Sequence, residues 1–396
     1  MTLANALSWT SGRANGDAIK ALLSASAWLS QSGIQEQEGP HAGGFYGWYS
    51  TLEHCHSIMF STTTGNAITC MLFLDRMLPG WPRQNPTEQA AFWLLDKAWV
   101  ADEGGFMVGI NPQNDSQIRQ IKTLDVAMIL NAFVHLHYET DNSFCLSVAS
   151  KAVDFITQRM MGPNGVPYPL LDVDSATVIQ DTSNWRADIQ PYLAKIAIGL
   201  MNYAQAIRSE RARTHAIRLL DWACQSAEEK QEGAITSTGR SVHLLPTMHA
   251  VDALLVGSVM LDRQRMLEAA LKTWRFVADC QLQDGGFPML VGEGENYERA
   301  DVCAHFIRAG RLIEALGMLP EGYCLKIDKA TKRLCGELAN RQPDPKMFGA
   351  FNHSGAERPD LQDANTQATM VAIQALSLEA GMPNAASAIA RDMLIV

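Results

Sequence analysis

Two histidines are the residues best placed to do chemistry in this chain. His249 and His305 each lie about one turn inside an otherwise apolar segment, PTMHAVDALLVGSVML and RADVCAHFIRAG. Two histidines facing each other across a barrel could remove a proton and return it. Each could equally be a hydrogen-bonded wall residue. Asp125 and Asp301 follow short polar runs at predicted helix starts. A carboxyl buried in a cavity mouth has a raised pKa and can act as general acid or base. The plainer role is a first-turn carboxylate that accepts orphan N–H groups. His135 and His137 sit at the far end of their segment and read as structural.

These candidates need a scaffold that gathers them, and the scaffold is legible as a repeat. An amphipathic helix with a large anchor near its end is followed by a glycine-rich turn and a second helix. The anchors are Trp28, Trp93, Phe155, Trp222, Phe276 and Leu334, spaced 54 to 67 residues apart. Turns such as HAGGFYGWY, DEGGFMVG and QDGGFPMLVG carry paired glycines that permit positive φ, with an aromatic that can plug back onto the core. The turn is degenerate in GPNGVPY and MFGAF, and the fourth unit keeps only Gly233.

The helices fall into two classes. RMLEAALKTWRFVADC is amphipathic, whereas AVDALLVGSVML and ATMVAIQALSL are apolar or small on nearly every face. A helix apolar all round is buried on all sides. Alternation of the classes predicts an inner barrel and an outer ring: an all-α (α/α)6 toroid, one domain over residues 1–396, with little β structure. An open solenoid would need polar caps at both ends, and neither end has that character.

In such a ring the inner helices run in one direction, so their N-termini and the preceding loops share one rim. Polar residues gather at those starts: Glu53, His54 and His56; Thr123 and Asp125; Trp185, Arg186, Asp188, Tyr192 and Lys195; His243, His249 and Asp252; Tyr297, Glu298, Arg299, Asp301 and His305; Asp363, Asn365 and Thr366. Acids, histidines, an arginine and aromatics together suit a sugar, whose ring faces stack on aromatics while its hydroxyls are read by fixed polar groups. His249, His305, Asp125 and Asp301 are the catalytic candidates. Tyr46, Trp48, His54, Trp185, Tyr192, Arg299 and Asn365 are the substrate-binding candidates. Tyr49, Phe106 and Phe287 could also offer stacking faces, or could plug their turns.

Composition narrows the field. The net charge is −10 and the basic residues form no stripe, which argues against nucleic acid. No run of 18 apolar residues exists, so no membrane-inserted helix is expected. The first twenty residues lack a basic stretch followed by an apolar core, so no secretory leader is expected. Eight scattered cysteines without a CxxC pair suit reduced thiols in a cytoplasmic protein. P-loop, GxGxxG and GxSxG motifs are absent. Asp172 and Asp174, in DVDS, resemble the acid motif of class II terpene cyclases without its last aspartate.

The segments TLDVAMILNAFVHLHYETDN, AKIAIGLMNYA, ERADVCAHFIRAG and DANTQATMVAIQALSLE give the whole chain a pattern that resembles the toroid proteins acting on carbohydrates. These are the N-acylglucosamine 2-epimerase group, unsaturated glucuronyl hydrolases, toroid polysaccharide lyases, and toroids associated with bacterial surface polysaccharide. In the epimerase group inner-barrel histidines carry the proton, which the resemblance places at His249 and His305. A second stretch, FVADCQLQDGGF, resembles the repeat of triterpene cyclases. With Asp301 and Cys303 it is also similar to prenyltransferase β-subunits, where an Asp-x-Cys pair binds zinc. The family's histidine ligand has no counterpart in DANTQAT.

The expected function is therefore acid–base chemistry on a sugar or uronic-acid-bearing glycan, as an epimerase, lyase or hydrolase. It would need no organic cofactor and no metal; a homodimer is possible. Isoprenoid chemistry and a non-catalytic glycan-binding or scaffold toroid are the alternatives.

Overall fold

A computed structural model describes residues 15–78, 86–179, 190–230, 234–235, 237–238, 241–293, 297–355 and 363–394. Trp185, Arg186, Asp188 and Gly233 lie outside the described residues. The chain alternates outer and inner helices. The outer set is α1 (Gly16–Gln31), α3 (Pro86–Trp93), α5 (Ser143–Asp154), α7 (Glu210–Glu229), α9 (Gln264–Asp279) and α11 (Tyr323–Arg333). The inner set is α2 (Ser61–Met77), α4 (Thr123–Thr140), α6 (Ile196–Ile207), α8 (Leu244–Leu261), α10 (Ala300–Ala315) and α12 (Thr366–Glu379). Each inner helix packs on the next, and α12 returns to α2, so the ring is closed. The two-layer (α/α)6 toroid expected from helix character is the observed architecture.

Burial explains the two classes. In α4 every residue from Thr123 to Leu136 is buried except Asp125. In α9 the buried residues Met266, Leu267, Ala270, Leu271, Trp274, Val277 and Ala278 trace one face. Among the described residues one helix, α8, is long and apolar enough to cross a membrane; it is 78% buried as part of the inner wall. The links from inner to outer helices are tight. Asp141, Arg208 and Asp262 take the left-handed conformation after α4, α6 and α8, and Asn142 and Ser209 then cap the next outer helix.

The links from outer to inner helices are long and form the rim at which the inner helices start. They carry two- and three-residue strands that tie neighbouring units together. Trp48–Tyr49 pairs with Ala364–Asn365, joining the first unit to the sixth. Met59–Phe60 pairs with Gly109–Asn111, and Gln120–Lys122 with Leu170–Asp172. The glycine turns press against the next outer helix round the ring. A Cβ on Gly43 would lie 2.1 Å from the Gln89 carbonyl oxygen of α3, and one on Gly349 would lie 2.4 Å from that of Ser24 in α1. The sixth turn thus touches the first outer helix, as closure requires. Gln35 and Gln281 hold two of the turns from inside, donating to Gly43 and Gly285 carbonyls at 3.2 and 3.0 Å. In FVADCQLQDGGF the glutamine is therefore a tie within the toroid. The aromatics that follow, Phe45, Phe106, Phe287 and Phe351, are wholly buried plugs, so Phe106 and Phe287 offer no stacking face.

Gly285 gives a direct test of this packing. Its φ is +99°, and a Cβ would lie 2.5 Å from the Lys329 carbonyl oxygen of α11. Gly285→Ala is expected to cost roughly 1–3 kcal/mol, since it adds backbone strain to a contact with unyielding main chain. Urea unfolding measures this; a change within about 0.3 kcal/mol would show the turn is not clamped.

Two features were not foreseen. Trp222 and Phe276 are only half-buried; in α9 the fully buried ring is Trp274, stacked on Phe306 at a 4.8 Å centroid distance. Residues two apart on a helix point away from each other, so Trp274 and Phe276 cannot both face inward. A last helix, α13 (Ala385–Ala388, continued by a π-turn over Ile389–Met393), packs on α2, α8, α10 and α12 and closes the ring end opposite the rim. All eight cysteines are free thiols, and five are buried.

Candidate active site

The inner-helix starts and rim strands enclose a cavity of about 340 Å³. Its wall takes Trp48 and Asn365 from the paired strands of the first and sixth units, and Asp125 from the first turn of α4. Tyr192 comes from the 3-10 turn ahead of α6, His249 from α8, and Arg299, Asp301 and His305 from α10. Eight of the eleven sequence candidates therefore share one cavity. Phe60, 6.0 Å from Trp48 between ring centroids, extends the aromatic side.

Two candidates are corrected. Tyr46 donates its hydroxyl to Glu36 Oε2 at 2.6 Å and stacks on His56 at 4.4 Å, so it belongs to the loop core. Burial, together with the Glu36 carboxylate, pushes its pKa above the ordinary tyrosine value. His54 is exposed in a turn at φ +51° and does not reach the cavity. Trp185 cannot be assigned, because it lies outside the described residues.

At the cavity floor the His249 and His305 rings meet edge to face with centroids 5.2 Å apart. Beneath them lies a buried ionic cluster. Asp252 Oδ2 is 2.8 Å from His305 Nδ1, 2.7 Å from Arg308 Nη2 and 3.0 Å from Lys195 Nζ. Arg308 Nη1 donates to Gln374 Oε1 at 2.7 Å. His305 Nδ1 also lies 2.8 Å from Arg308 Nη2. An N–H at that nitrogen faces the Arg308 donor unfavourably, but a lone pair facing the carboxylate would be worse. The favourable assignment is Nδ1–H donating to Asp252, which leaves Nε2 as the basic nitrogen.

Electrostatics follow from burial. Desolvation lowers the His305 pKa to about 4, with Lys195 and Arg308 acting in the same sense and Asp252 opposing them. Desolvation also holds His249 well below the ordinary histidine value, helped by Lys195 and His305. Burial would raise the Asp252 carboxyl, but Arg308 and Lys195 outweigh it and keep it far below the usual range. The floor thus holds two neutral imidazoles near pH 7.

Asp301 was expected as a general acid or base with a raised pKa; its pKa is lowered instead, which removes the acid role. Arg299 Nε lies 2.9 Å from its Oδ1, Arg299 Nη2 grips Oδ2, and Val302 N donates to Oδ1 at 2.8 Å. Burial would raise the carboxyl, but Arg299 holds it down at about 2. It remains a carboxylate near neutrality and cannot donate a proton. Cys303 points away from it, to the Ala330 carbonyl of α11 at 3.4 Å. The Asp-x-Cys pair is therefore split across the helix, and the zinc arrangement implied by the prenyltransferase resemblance is not formed. Among the described residues no three His, Cys, Asp or Glu side chains are placed to hold a metal.

Lys195 and Asp252 were visible as polar residues at helix starts, but their roles were not. Arg308, Gln374 and the wall residue His353 were missed. The available signal was spacing: His249 with Asp252, and His305 with Arg308, are three apart and so share a helix face.

No protein-family model matches the sequence, and no curated protein matches it. Solved structures do match in shape. Cellobiose 2-epimerase from Bacillus thermoamylovorans aligns with a TM-score of 0.70 at 11% identity, covering 88% of this chain and 95% of that one. D-mannose isomerase aligns at 0.72 and 11%, covering 94% and 99%. An unsaturated glucuronyl hydrolase specific for heparin aligns at 0.68 and 11%, covering 92% and 97%. Ring closure, the inward floor and these whole-length alignments agree: the chain is an (α/α)6 toroid, with the fold of these carbohydrate-active proteins.

Proposed function

We propose that this chain is a sugar epimerase or isomerase that moves a proton beside the carbonyl of an open-chain reducing sugar. The observation that carries the reading is the neutral histidine pair on the cavity floor, with His305 oriented by buried Asp252. Nε2 of His305 takes the proton from the carbon next to the carbonyl. The C–H electron pair becomes the C=C of an enediolate, and the carbonyl oxygen gains the negative charge. Arg299, on the same wall, opposes that charge. Return of the proton from His305 to the former carbonyl carbon gives the isomer; for the epimer the proton passes from the His305 imidazolium to neutral His249, in ring contact with it, which delivers it to the other face of the same carbon, so that both imidazoles end neutral. Asp252 stabilises the imidazolium in between. Trp48 and Tyr192 supply stacking faces, and Asp125 and Asn365 read hydroxyls. Asp301 serves by fixing Arg299.

Glycoside hydrolysis needs a carboxylic acid to protonate the leaving oxygen; Asp301 is held ionised and cannot serve, which leaves Asp125 and Asp363 as the cavity carboxyls that this second reading would use. Sugar epimerases and a mannose isomerase among the similar structures favour the proton-transfer chemistry.

Incubation of a panel of free aldoses and ketoses in D2O tests the reading. Deuterium is expected at the carbon beside the carbonyl, together with a new epimer or ketose. Turnover should persist on acidification past the ordinary histidine range and fall only as pH drops through about 4, where His305 becomes protonated. Release of new reducing ends from glycosides without deuterium uptake would replace this reading with hydrolysis.

A further inference from the structure

We propose that Lys195 is a positioning residue of this centre: its ammonium, bound with Arg308 to the carboxylate oxygen that receives His305, keeps that imidazole neutral and ready to accept a proton. The inference rests on the reading of His305 as the base.

Three donors converge on one oxygen. Lys195 Nζ, Arg308 Nη2 and His305 Nδ1 all lie within 3.0 Å of Asp252 Oδ2, while Oδ1 has no hydrogen-bond partner among the described residues. The Lys195, Arg308 and Asp252 side chains are wholly buried and that of His305 is 1% exposed. Arg308 alone already balances the single charge of Asp252. Among the described residues Lys195 adds a second buried cation that meets the same carboxylate and no other. For stability, an apolar side chain of similar length would serve better there. The excess positive charge has a different consequence. An imidazole on an undivided buried carboxylate is drawn toward the imidazolium form; two cations on the same carboxylate leave that attraction in place but set repulsion against it, so that burial decides the outcome.

The surroundings of His305 support this account. From α8 it faces Asp252 and His249, from the turn ahead of α6 it faces Lys195, and on α10 itself Arg308 and Asp301 lie near. The residue that α12 contributes to the cluster is Gln374, uncharged and bound to Arg308. Burial brings Lys195 down to about 7, so its charge is in place below neutrality, the range in which an ordinary histidine would protonate. Lys195 does not line the cavity, so it acts through Asp252 and His305 and touches no substrate.

The experiment follows the His305 ring by NMR titration of the full chain, the resonance being assigned by its loss in His305→Gln. The wild-type midpoint should lie well below 6.5. In Lys195→Met it should rise by about 1–2 pH units, and the acid limb of turnover should rise with it; Lys195→Arg should hold both near wild type. Lys195→Gln provides a second neutral variant, able to keep a hydrogen bond to Asp252, should the methionine variant not fold. An unchanged midpoint in either folded neutral variant overturns the inference. The titration reads the imidazole without turnover. A midpoint that moves as expected in a protein inactive on every sugar would uphold the electrostatics and remove the catalytic reading on which Lys195's role depends.

Discussion

His305→Gln is expected to lower sugar turnover by about 10²–10⁴-fold, the usual contribution of a positioned general base, while leaving the toroid folded. Glutamine has similar reach, and its amide can still donate to Asp252, so the buried carboxylate keeps a hydrogen bond. What is lost is Nε2, the one nitrogen left basic by the Nδ1–Asp252 contact of 2.8 Å. Because the change removes proton transfer and leaves the cavity walls in place, KM should move by far less than kcat. Deuterium uptake from D2O should fall in step with product formation. Circular dichroism and the melting curve serve as controls for folding. A folded His305→Gln protein retaining more than about a tenth of wild-type turnover would remove His305 as the base.

Asp252→Ala should produce the largest stability loss, about 3–5 kcal/mol by urea unfolding, as expected when one member of a buried ion cluster is deleted. Asp252 is the only carboxylate in hydrogen-bond contact with Lys195 Nζ and with Arg308 Nη2 among the described residues. Its removal takes that carboxylate from both cations in a site with no exposure. The loss should depend on pH with a definite sign. Lys195 in the folded protein already titrates near 7, below its ordinary range, and it falls further without Asp252. Raising the pH therefore lets it shed its charge, and the penalty should be smaller at pH 9 than at pH 6. Arg308 cannot shed its charge, so part of the cost persists. A loss under about 1 kcal/mol at pH 6 would mean that water or another anion compensates the cluster.

The candidate site was partly readable in one dimension because helix periodicity fixes which residues share a face. His249 and His305 read as inward from their apolar surroundings, and they do meet. Asp125 was read as a catalytic candidate or a first-turn carboxylate, and it is the single unburied position in fourteen residues of α4. Other assignments needed neighbours that periodicity does not supply. Arg299 is the extended residue ahead of α10, with φ −124° and ψ 123°, so its side chain can fold over the first turn onto Asp301. A helical residue two positions away could not do so. Tyr46 was diverted by Glu36, ten residues earlier, in a loop without a repeating pattern.

The sequence by itself determined the layering of this protein, because burial on every side and burial on one side leave different hydrophobic patterns within each helix, and those patterns are local. It also determined the glycine turns that lead from outer to inner helices, where positive φ favours glycine, but not the turns after α4, α6 and α8, where Asp141, Arg208 and Asp262 take that conformation. Only the tertiary structure decided the chemistry of the floor. Lys195, Asp252, Arg308 and Gln374 come from four inner elements. The charges among them acquire meaning only when ring closure excludes water and brings Lys195 and Arg308 onto one oxygen of Asp252, with Gln374 bound to Arg308 behind them, since proton affinity is set by distance and dielectric, and neither is a property of position along the chain.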